Sequence, residues 1–259
     1  MTSILVAQDS PPLLLHTLRL ADTTLVLGHR LSEWTGRAPM LEEELALANA
    51  ALDLIGQARS LYAHAAALEG RGRTEDDLAY LRDAPDWRNW LIVEQPNGDF
   101  ACTMLRQFLV AAFLHPYWRA HAACAEPTLA AIAAKAEKEA AYHLRHAGEW
   151  VIRLGDGTDD SHDRMLDALE MLWPFTGEMF ETDAADRALI ADDLAPDPAA
   201  IRPVWQATVA QVLEQATLPL PPAGAWMQSG GRRGVHGEHL GHLLAVMQHL
   251  PRSYPGAVW

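Results

Sequence analysis

The chain has 259 residues, and 49% of them belong to the apolar set, which is enough to build one sizeable hydrophobic core. Its formal net charge of −14 repels phosphate backbones and anionic lipid headgroups, so we expect neither nucleic acid nor a membrane as a partner. The two cysteines, Cys102 and Cys124, are too few for a disulfide framework and too far apart for a zinc pair. The N-terminal residues 1–9 do not read as a secretory signal, and no run approaches the roughly 20 apolar residues that span a bilayer. We therefore predict a cytoplasmic protein.

Apolar residues recur at steps of three and four along most of the chain, which is the periodicity of buried helices. They predict helices over about 12–34 and 41–69, then one or two small helices within 74–98. Two further long helices follow, over about 99–123, with Asp99 as N-cap, and over 127–154, opening at Pro127. Weaker patterns predict helices over about 160–180, 184–194, 198–214 and 236–250.

The four long helices come as two successive hairpins with short links, the order found in a four-helix bundle with a crossover connection. No strand pattern of convincing length is present, so the fold class is predicted to be all-α. We expect one domain over residues 1–259. Its core bundle would occupy about 12–155, and a helical extension about 160–259.

The fourth long helix carries polar side chains on the face that its apolar residues define. That face is predicted to contain Leu129, Ile132, Ala136, Glu139, His143, His146 and Trp150. A buried carboxylate must be neutralised, paired or bound to metal, because leaving it unpaired costs several kcal/mol. We predict a salt-bridged network at the bundle centre that joins Glu139, His143 and His146 to a basic neighbour, Arg106 or His29. A single polar residue beside an apolar stripe is more often a surface residue, but three successive positions favour burial.

Acidic residues at similar positions on the other helices suggest the ground plan of a di-iron carboxylate site. Asp22 lies in the register of the first helix, Asp53 lies beside the apolar stripe of the second, and Asp99 starts the third. With Glu139, each of the four helices then directs one acid inward, as the helices of di-iron bundles do.

The spacing of these acids does not match an intact di-iron site, which needs two Glu-x-x-His units. The third residue after Asp53 is Gly56, and the third after Glu139 is Tyr142. We therefore predict that the chain binds no metal. The remaining side chains are interpreted as a vestigial di-iron position formed by Asp22, Asp53, Glu139 and His143.

Several long segments resemble the C-subunit family of multicomponent phenylacetyl-CoA epoxidases. They include Leu25-Val-Leu-Gly-His-Arg-Leu-Ser-Glu-Trp34 and residues 46–59, 93–101, 138–145 and 231–241, together with the ending Pro255-Gly-Ala-Val-Trp259. The resemblance spans nearly the whole chain. It implies a ferritin-like bundle without catalytic residues or cofactor of its own.

The same resemblance implies a set of partners. A related A subunit would hold the di-iron centre and the CoA thioester, and a reductase subunit would hold flavin and iron–sulfur groups. This chain would pair with the A subunit and stabilise it in aerobic phenylacetate degradation, with its first two helices as candidates for the docking face. Alone, it is expected to form a homodimer.

Two C-terminal features suggest other contacts. Arg232 and Arg233 lie in a glycine-rich loop and could contact a phosphate or an acidic partner, although a solvated loop is the commoner role of such a sequence. His236, Glu238, His239 and His242 look like zinc ligands, but the spacing matches no zinc motif, so we expect no metal there.

Two other functions stay open at this point. One is an active di-iron or di-manganese oxidase with an atypical ligand set of Asp22, Asp53, Glu139 and His143. The other is a helical protein-binding module unrelated to oxygenases.

Overall fold

The computed structural model describes residues 10–257, and within them the chain is helical and contains no strand. The helices are α1 (Pro12–Ser32), α2 (Leu41–Glu69), α3 (Glu75–Tyr80), α4 (Leu91–Glu94), α5 (Phe100–His121), α6 (Pro127–Gly155), α7 (Asp159–Leu172), α8 (Ala184–Ala191), α9 (Pro198–Gln215), α10 (Glu238–Met247) and α11 (His249–Ser253). The longest four, α1, α2, α5 and α6, pack as α1 on α2, α5 on α6 and α2 on α6. The predicted all-α bundle of two long hairpins is confirmed. None of the helices among residues 10–257 has the length and apolar character needed to cross a bilayer.

The ends of the long helices follow the residues that the sequence offers. Proline occupies the first turn of α1 and of α6, where its missing N–H leaves no helical hydrogen bond unmade. Gly70 ends α2 in the left-handed conformation, with φ of 65°. The side chain of Asp99 accepts a hydrogen bond of 2.9 Å from the backbone N–H of Cys102, so the predicted N-cap of α5 is confirmed.

The C-terminal half departs from the prediction at two places. The helix predicted over 160–180 stops at Leu172, because Pro174 cannot continue it, and two 3₁₀ turns replace its last part. The helix predicted over 236–250 begins only at Glu238 and is divided at Gln248. Its first residues are instead held by Glu94, which accepts from the N–H of Gly237 at 2.7 Å and lies 2.8 Å from Nδ1 of His236.

Helix α5 lies at the centre of the molecule and is buried on every side over most of its length. Helix α6 covers one side of it, while α7 and α9 cover another. The indole Nε1 of Trp205 in α9 donates to the carbonyl oxygen of Leu109 at 2.9 Å, and both residues belong to the same hydrophobic core. The extension thus completes the burial of α5. The assignment of residues 1–259 to one domain stays a prediction, because residues 1–9 and 258–259 lie outside the described part. The expectation that residues 1–9 are not a secretory signal falls on the same undescribed residues.

The buried face of α6 is rotated relative to the predicted one. Its buried side chains include Leu129, Ala133, Ala136, Glu137, Ala140, His143, Ala147 and Val151. Glu139 and His146 flank this face and are only half-buried, so their predicted central positions are wrong. The physical reason is that alanine occurs on both sides of α6, so the apolar pattern allows more than one rotation of the helix.

Candidate functional site

Asp22 in the middle of α1 forms a fully buried ion pair with Arg82, which lies after α3. Its carboxylate accepts from both terminal nitrogens of the guanidinium, from the hydroxyl of Tyr62 at 2.5 Å, and from the backbone N–H of Arg88 at 2.7 Å. Four donors satisfy both oxygens of Asp22. A buried ion pair is stable when it has such additional hydrogen bonds.

The charges of this pair shift the pKa values of its members. Burial lowers the pKa of Arg82, but the charge and hydrogen bond of Asp22, together with the nearby Tyr62 and Asp86, outweigh burial and hold that pKa above its ordinary value. Burial, followed by the charge of Asp22, raises the pKa of Tyr62 well above its ordinary value. Tyr62 therefore stays a neutral donor, and Arg82 stays the cation that balances Asp22.

A second group of polar side chains joins α2 to α6. Nε2 of His143 lies 3.2 Å from Oδ2 of Asp53, and one turn along the interface Nε2 of Gln57 donates to Oε2 of Glu139 at 2.8 Å. We call these four residues the α2–α6 polar cluster. Helix α2 contributes the acid Asp53 and, four residues later, Gln57. Helix α6 contributes the acid Glu139 and, four residues later, His143, so that each acid contacts the partner residue of the opposite helix. The two contacts are therefore reciprocal, and each carboxylate faces a protein donor.

The charges around the α2–α6 polar cluster come from both helices. Nζ of Lys135 lies 3.2 Å from Oε1 of Glu139. Nε2 of His146 lies 2.9 Å from Oε2 of Glu43, which is in the first turn of α2. Burial lowers the pKa of His143, and the nearby Asp53 only partly opposes this effect. His143 is thus held close to a carboxylate in a position where its own protonation is disfavoured.

The structure brings together only part of the predicted vestigial site. Asp53, Glu139 and His143 meet between α2 and α6, but Asp22 contacts Tyr62, which lies nine residues beyond Asp53 in α2. That separation is roughly 14 Å along a helix axis, so Asp22 and the cluster form two separate sites.

The predicted salt-bridged network of five residues does not form. Arg106 in α5 donates instead to the carbonyl oxygen of Gln95 at 2.6 Å and to the side chain of Asn97. Burial lowers the pKa of Arg106 to about 10. His29 is half-buried on α1, and His146 pairs with Glu43, so the placement of Arg106, His29 and His146 around Glu139 was wrong. The reason is that the loop after α4 offers Arg106 carbonyl oxygens closer than any carboxylate of α6.

These residues do not fit a pair of iron ions. A di-iron centre needs carboxylates and imidazoles that converge with free oxygen and nitrogen atoms. Here Asp22 is occupied by a guanidinium, and the acids of the α2–α6 polar cluster are directed to an imidazole and an amide. Within residues 10–257, no three His, Cys, Asp or Glu side chains are grouped so that they could hold a metal ion.

The glycine-rich C-terminal loop is held by buried ion pairs. Arg232 is buried, makes two hydrogen bonds of 2.8 and 2.7 Å to the carboxylate of Asp186, and also donates to the carbonyl oxygen of Glu181. Arg19 of α1 donates to the same carboxylate at 3.0 Å. The suggestion that Arg232 contacts a phosphate or partner is therefore wrong, because its donors face inward. Arg233 is exposed, and its guanidinium lies 3.5 Å from Glu181.

Sequence reasoning missed two fully buried carboxylates. Glu178 accepts from the backbone N–H groups of Leu91 at 2.8 Å, Gly230 at 2.9 Å and Arg232 at 3.2 Å. Burial raises the pKa of Glu178, and these three backbone hydrogen bonds lower it in part. Glu94 likewise joins α4 to His236 and Gly237. The paired glycines at the start of the loop were the available signal, because a Cβ at Gly231 would lie 2.2 Å from the carbonyl oxygen of Asn89.

A pair of buried histidines between α1 and α5 was also missed. Nε2 of His16 lies 3.1 Å from Nε2 of His121, and a cavity of about 30 Å³ lies against His16, Arg19 and Asp186. Burial lowers the pKa of His121 to about 4, and burial followed by the nearby His121 lowers the pKa of His16 as well. Both rings are therefore neutral at pH 7, where one can donate to the other.

Residues 3–259 match the protein family described as Phenylacetic acid catabolic protein. The chain belongs to this family. A relative from Escherichia coli (strain K12), the C subunit of 1,2-phenylacetyl-CoA epoxidase, is 48% identical over 244 residues, which cover 94% of this chain and 98% of the relative. The resemblance found in the separate sequence segments is confirmed, and so is the ferritin-like all-α fold.

Proposed function

We propose that this chain is the non-catalytic structural subunit of a multicomponent phenylacetyl-CoA 1,2-epoxidase, and that it pairs with a related catalytic subunit and stabilises it. The observation that carries the proposal is that the acids of the long helices are paired within the chain: Asp22 with the buried Arg82 and, at a separate site, the two acids of the α2–α6 polar cluster with an imidazole and an amide. The acids that a bundle of this kind would offer to a pair of metal ions are thus already satisfied by side chains of this chain. The name of the relative, the C subunit of an epoxidase, supports membership of a complex with several subunits.

The proposed cofactors follow from this division of roles. We place no cofactor in this chain, the di-iron centre in the related catalytic subunit, and flavin and iron–sulfur groups in a reductase subunit of the same complex. The complex would act in the cytoplasm during phenylacetate degradation. The contribution of this chain is then binding energy, because a partner that binds only the folded form of a protein stabilises that form by mass action.

A surface for such pairing lies on α2. Leu41, Leu45 and Leu52 follow each other at steps of four and seven, on one side of the helix, and are 68%, 57% and 67% exposed. One turn beyond Leu52, a Cβ added at Gly56 would meet no atom within 4 Å. We call these four residues the α2 outer face. Exposed leucines on one helix side are typical of an interaction surface, and the glycine would let a partner helix approach closely.

Burial of this face can supply a substantial part of a pairing energy. Full burial of one leucine side chain contributes about 1.5–3 kcal/mol, and stable interfaces between two proteins commonly cover about 1,600 Å² in total. The α2 outer face would form the apolar centre of such an interface, with charged residues of α2 such as Glu42 and Glu44 towards its rim.

Co-expression with the related catalytic subunit tests the pairing. We expect the two chains to elute together in size exclusion at a fixed stoichiometry, with iron present in the complex and absent from this chain when purified alone. Separate elution would contradict the pairing. Two irons per molecule of the isolated chain would contradict the non-catalytic role and favour the oxidase with an atypical ligand set.

The double variant Leu45→Glu/Leu52→Glu tests the α2 outer face. Each charge would have to be desolvated in the interface, so we expect at least about a hundredfold weaker binding for the pair, or about 2.8 kcal/mol. Val246→Glu is the matched control, since Val246 is 82% exposed on α10, away from α2. Titration of labelled catalytic subunit gives both affinities. Equal affinities for the two variants would place the interface on another surface.

A further inference from the structure

A groove of about 690 Å³ lies between α9 and the proline-rich loop at 219–227. We call it the α9 groove. Its volume lies within the range of about 300–1,000 Å³ that is usual for sites of small organic molecules. It is remote from the α2 outer face in sequence, and neither the ion pair of Asp22 nor the α2–α6 polar cluster contributes to it.

The floor of the α9 groove is aromatic. The rings of Trp173 and Trp205 lie with centroids 5.7 Å apart, and Phe180 meets Trp205 edge-on at 5.2 Å. The ring of Trp205 is held in its orientation by its hydrogen bond to the carbonyl oxygen of Leu109 in α5. Such a surface offers ring faces and edges to an apolar or aromatic molecule.

The wall opposite α9 is held in place by defined contacts. The backbone N–H of Gln228 donates to the carbonyl oxygen of Pro174 at 2.7 Å, which fixes the end of the loop. The hydroxyl of Thr176 lies 3.8 Å from the sulfur of Met227. A Cβ at Gly177 would lie 2.9 Å from the side chain of Met227, so the glycine allows the wall to approach. The groove is therefore built by the fold rather than left between loosely packed elements.

The rim of the α9 groove carries a guanidinium. Arg202 is exposed, lies over the ring of Phe180 at 4.3 Å from its centroid, and forms no ion pair among residues 10–257. Glu181 also lines the groove, but its carboxylate lies 3.5 Å from the guanidinium of Arg233. Of the two charged residues that line the groove, Glu181 thus has a cationic partner, whereas Arg202 forms no ion pair among the described residues. A guanidinium stacked on a ring at the edge of an apolar cleft is suited to bind a carboxylate or another planar anion.

We propose that the α9 groove binds a small amphipathic organic anion, with its aromatic or acyl body on Trp173 and Trp205 and its anionic group on Arg202. The aromatic floor selects the apolar body, and the guanidinium of Arg202 binds the negative charge. This site does not depend on the pairing with a catalytic subunit.

Fluorescence titration of the purified full-length chain with 8-anilinonaphthalene-1-sulfonate tests the site, because this probe combines aromatic rings with one anionic group. We expect one saturable site per chain, from which 4-phenylbutyrate displaces the probe and the uncharged 4-phenylbutyramide does not. Ala207→Trp fills the groove from an exposed position on α9 and should abolish binding. Arg202→Gln should weaken probe binding about tenfold.

Arg153→Gln is the matched control. Arg153 is also an exposed arginine that lies over an aromatic ring, 4.6 Å from the centroid of Trp150, but it does not line the groove. It should bind the probe as the unchanged chain does. Unsaturable binding, or binding that survives Ala207→Trp in a variant with unchanged circular dichroism, overturns the site. Equal effects of Arg202→Gln and Arg153→Gln overturn the recognition of the anion. Loss of probe binding on assembly with the catalytic subunit would show that a protein partner covers the groove, which also overturns the proposal.

Discussion

At the scale of single residues, the guanidinium of Arg82 compensates the charge of Asp22 and so allows this carboxylate to be buried in the middle of α1. Asp22 has no exposed surface, and its charge is balanced by a guanidinium sixty positions later in the chain. Nothing in the local pattern around Arg82 distinguishes it from Arg88, the other arginine of the irregular segment 74–98. The register of Asp22 among leucines could be read from the sequence, whereas its partner required the fold of the segment between α2 and α5.

Arg82→Met should destabilise the chain strongly. The substitution leaves a buried carboxylate without its cation, and breaking a buried pair from one side costs about 3–5 kcal/mol. Urea unfolding followed by circular dichroism measures the change. Adding Asp22→Asn should recover part of the loss, because the uncompensated charge is then removed as well.

Arg59→Met serves as the control for that substitution. Arg59 pairs with Glu75 at 3.3 Å, but its side chain is 77% exposed, and such pairs contribute at most about 1 kcal/mol. If Arg82→Met lowers the free energy of unfolding no more than Arg59→Met does, another group must compensate the charge of Asp22. The assignment of Asp22 and Arg82 as a structural ion pair would then fail.

The buried histidines predict how stability depends on pH. The folded-state pKa of His121 is about 4, below its ordinary value of 6.5, because burial disfavours the charged ring. Protons therefore bind the unfolded chain more tightly, and the free energy of unfolding should fall as pH drops from about 6.5 towards 4. His121 alone should account for about 2 kcal/mol between pH 7 and pH 5.

Unfolding measured at pH 7, 6 and 5 checks this dependence, with His121→Gln as the test variant and His242→Gln, at an exposed position of α10, as the control. The test variant should show a flatter pH profile and the control an unchanged one. His16, His29 and His143, whose pKa values burial also lowers, would contribute to the slope that remains. Identical profiles for both variants would contradict the burial of a neutral ring at position 121.

At the scale of helices, the positions of the long elements could be predicted from caps and breakers. Pro12, Gly70, Asp99 and Pro127 mark four of their ends, and the structure has helix ends there. Rotation about the helix axis was harder to predict. In α6 alanines occur on several sides of the helix, so the true buried face through Ala133, Ala140 and Ala147 was missed.

The polar pairing between helices could be predicted only in part. The sequence showed that Asp53, Glu139 and His143 lie near apolar stripes, and the structure does bring them to one interface. It did not show that Gln57 opposes Glu139, because that contact depends on the relative shift of α2 and α6 along their axes. Periodicity fixes which residues share a face, but not which residue of the neighbouring helix each one meets.

Gly56→Ala should have opposite effects on folding and on pairing. In the middle of α2, where a Cβ would meet no atom within 4 Å, alanine should stabilise the isolated chain by about 0.5–1 kcal/mol. The same methyl group would obstruct a partner helix on the α2 outer face, so affinity for the catalytic subunit should fall. Thermal unfolding and a binding titration measure the two effects.

Gly241→Ala provides the comparison, because Gly241 also lies in a helix, α10, with no atom within 4 Å of an added Cβ. It should stabilise the chain similarly and leave pairing unchanged. If both substitutions leave pairing unchanged, the close approach of a partner at Gly56 is excluded.

At the scale of the whole molecule, the extension and the bundle share one central helix. Because α5 is covered by α6 from the bundle and by α7 and α9 from the extension, neither part can bury its core without the other. The composition predicted one core of this size, but the boundary drawn near residue 155 suggested an appendage. The burial of α5 on all sides was visible in its sequence as apolar residues without a polar face.

Trp205→Ala should therefore weaken the whole chain and not only the extension. Loss of a buried tryptophan typically costs about 3–5 kcal/mol, and Trp205 joins α9 directly to Leu109 of α5. We expect near-ultraviolet and far-ultraviolet circular dichroism to report one common transition at a lower temperature. Two separate transitions, with the bundle melting as in the unchanged chain, would contradict the prediction of one domain.

The pairing of Asp22 with Arg82 has a consequence for when the chain can fold and assemble. The positive charge that this carboxylate requires is encoded in the polypeptide itself, so it cannot be diluted, removed by a chelator or replaced by a competing ion. Under the proposed function, synthesis of this chain could therefore run ahead of iron uptake, and ready-folded subunits would await each newly loaded catalytic chain.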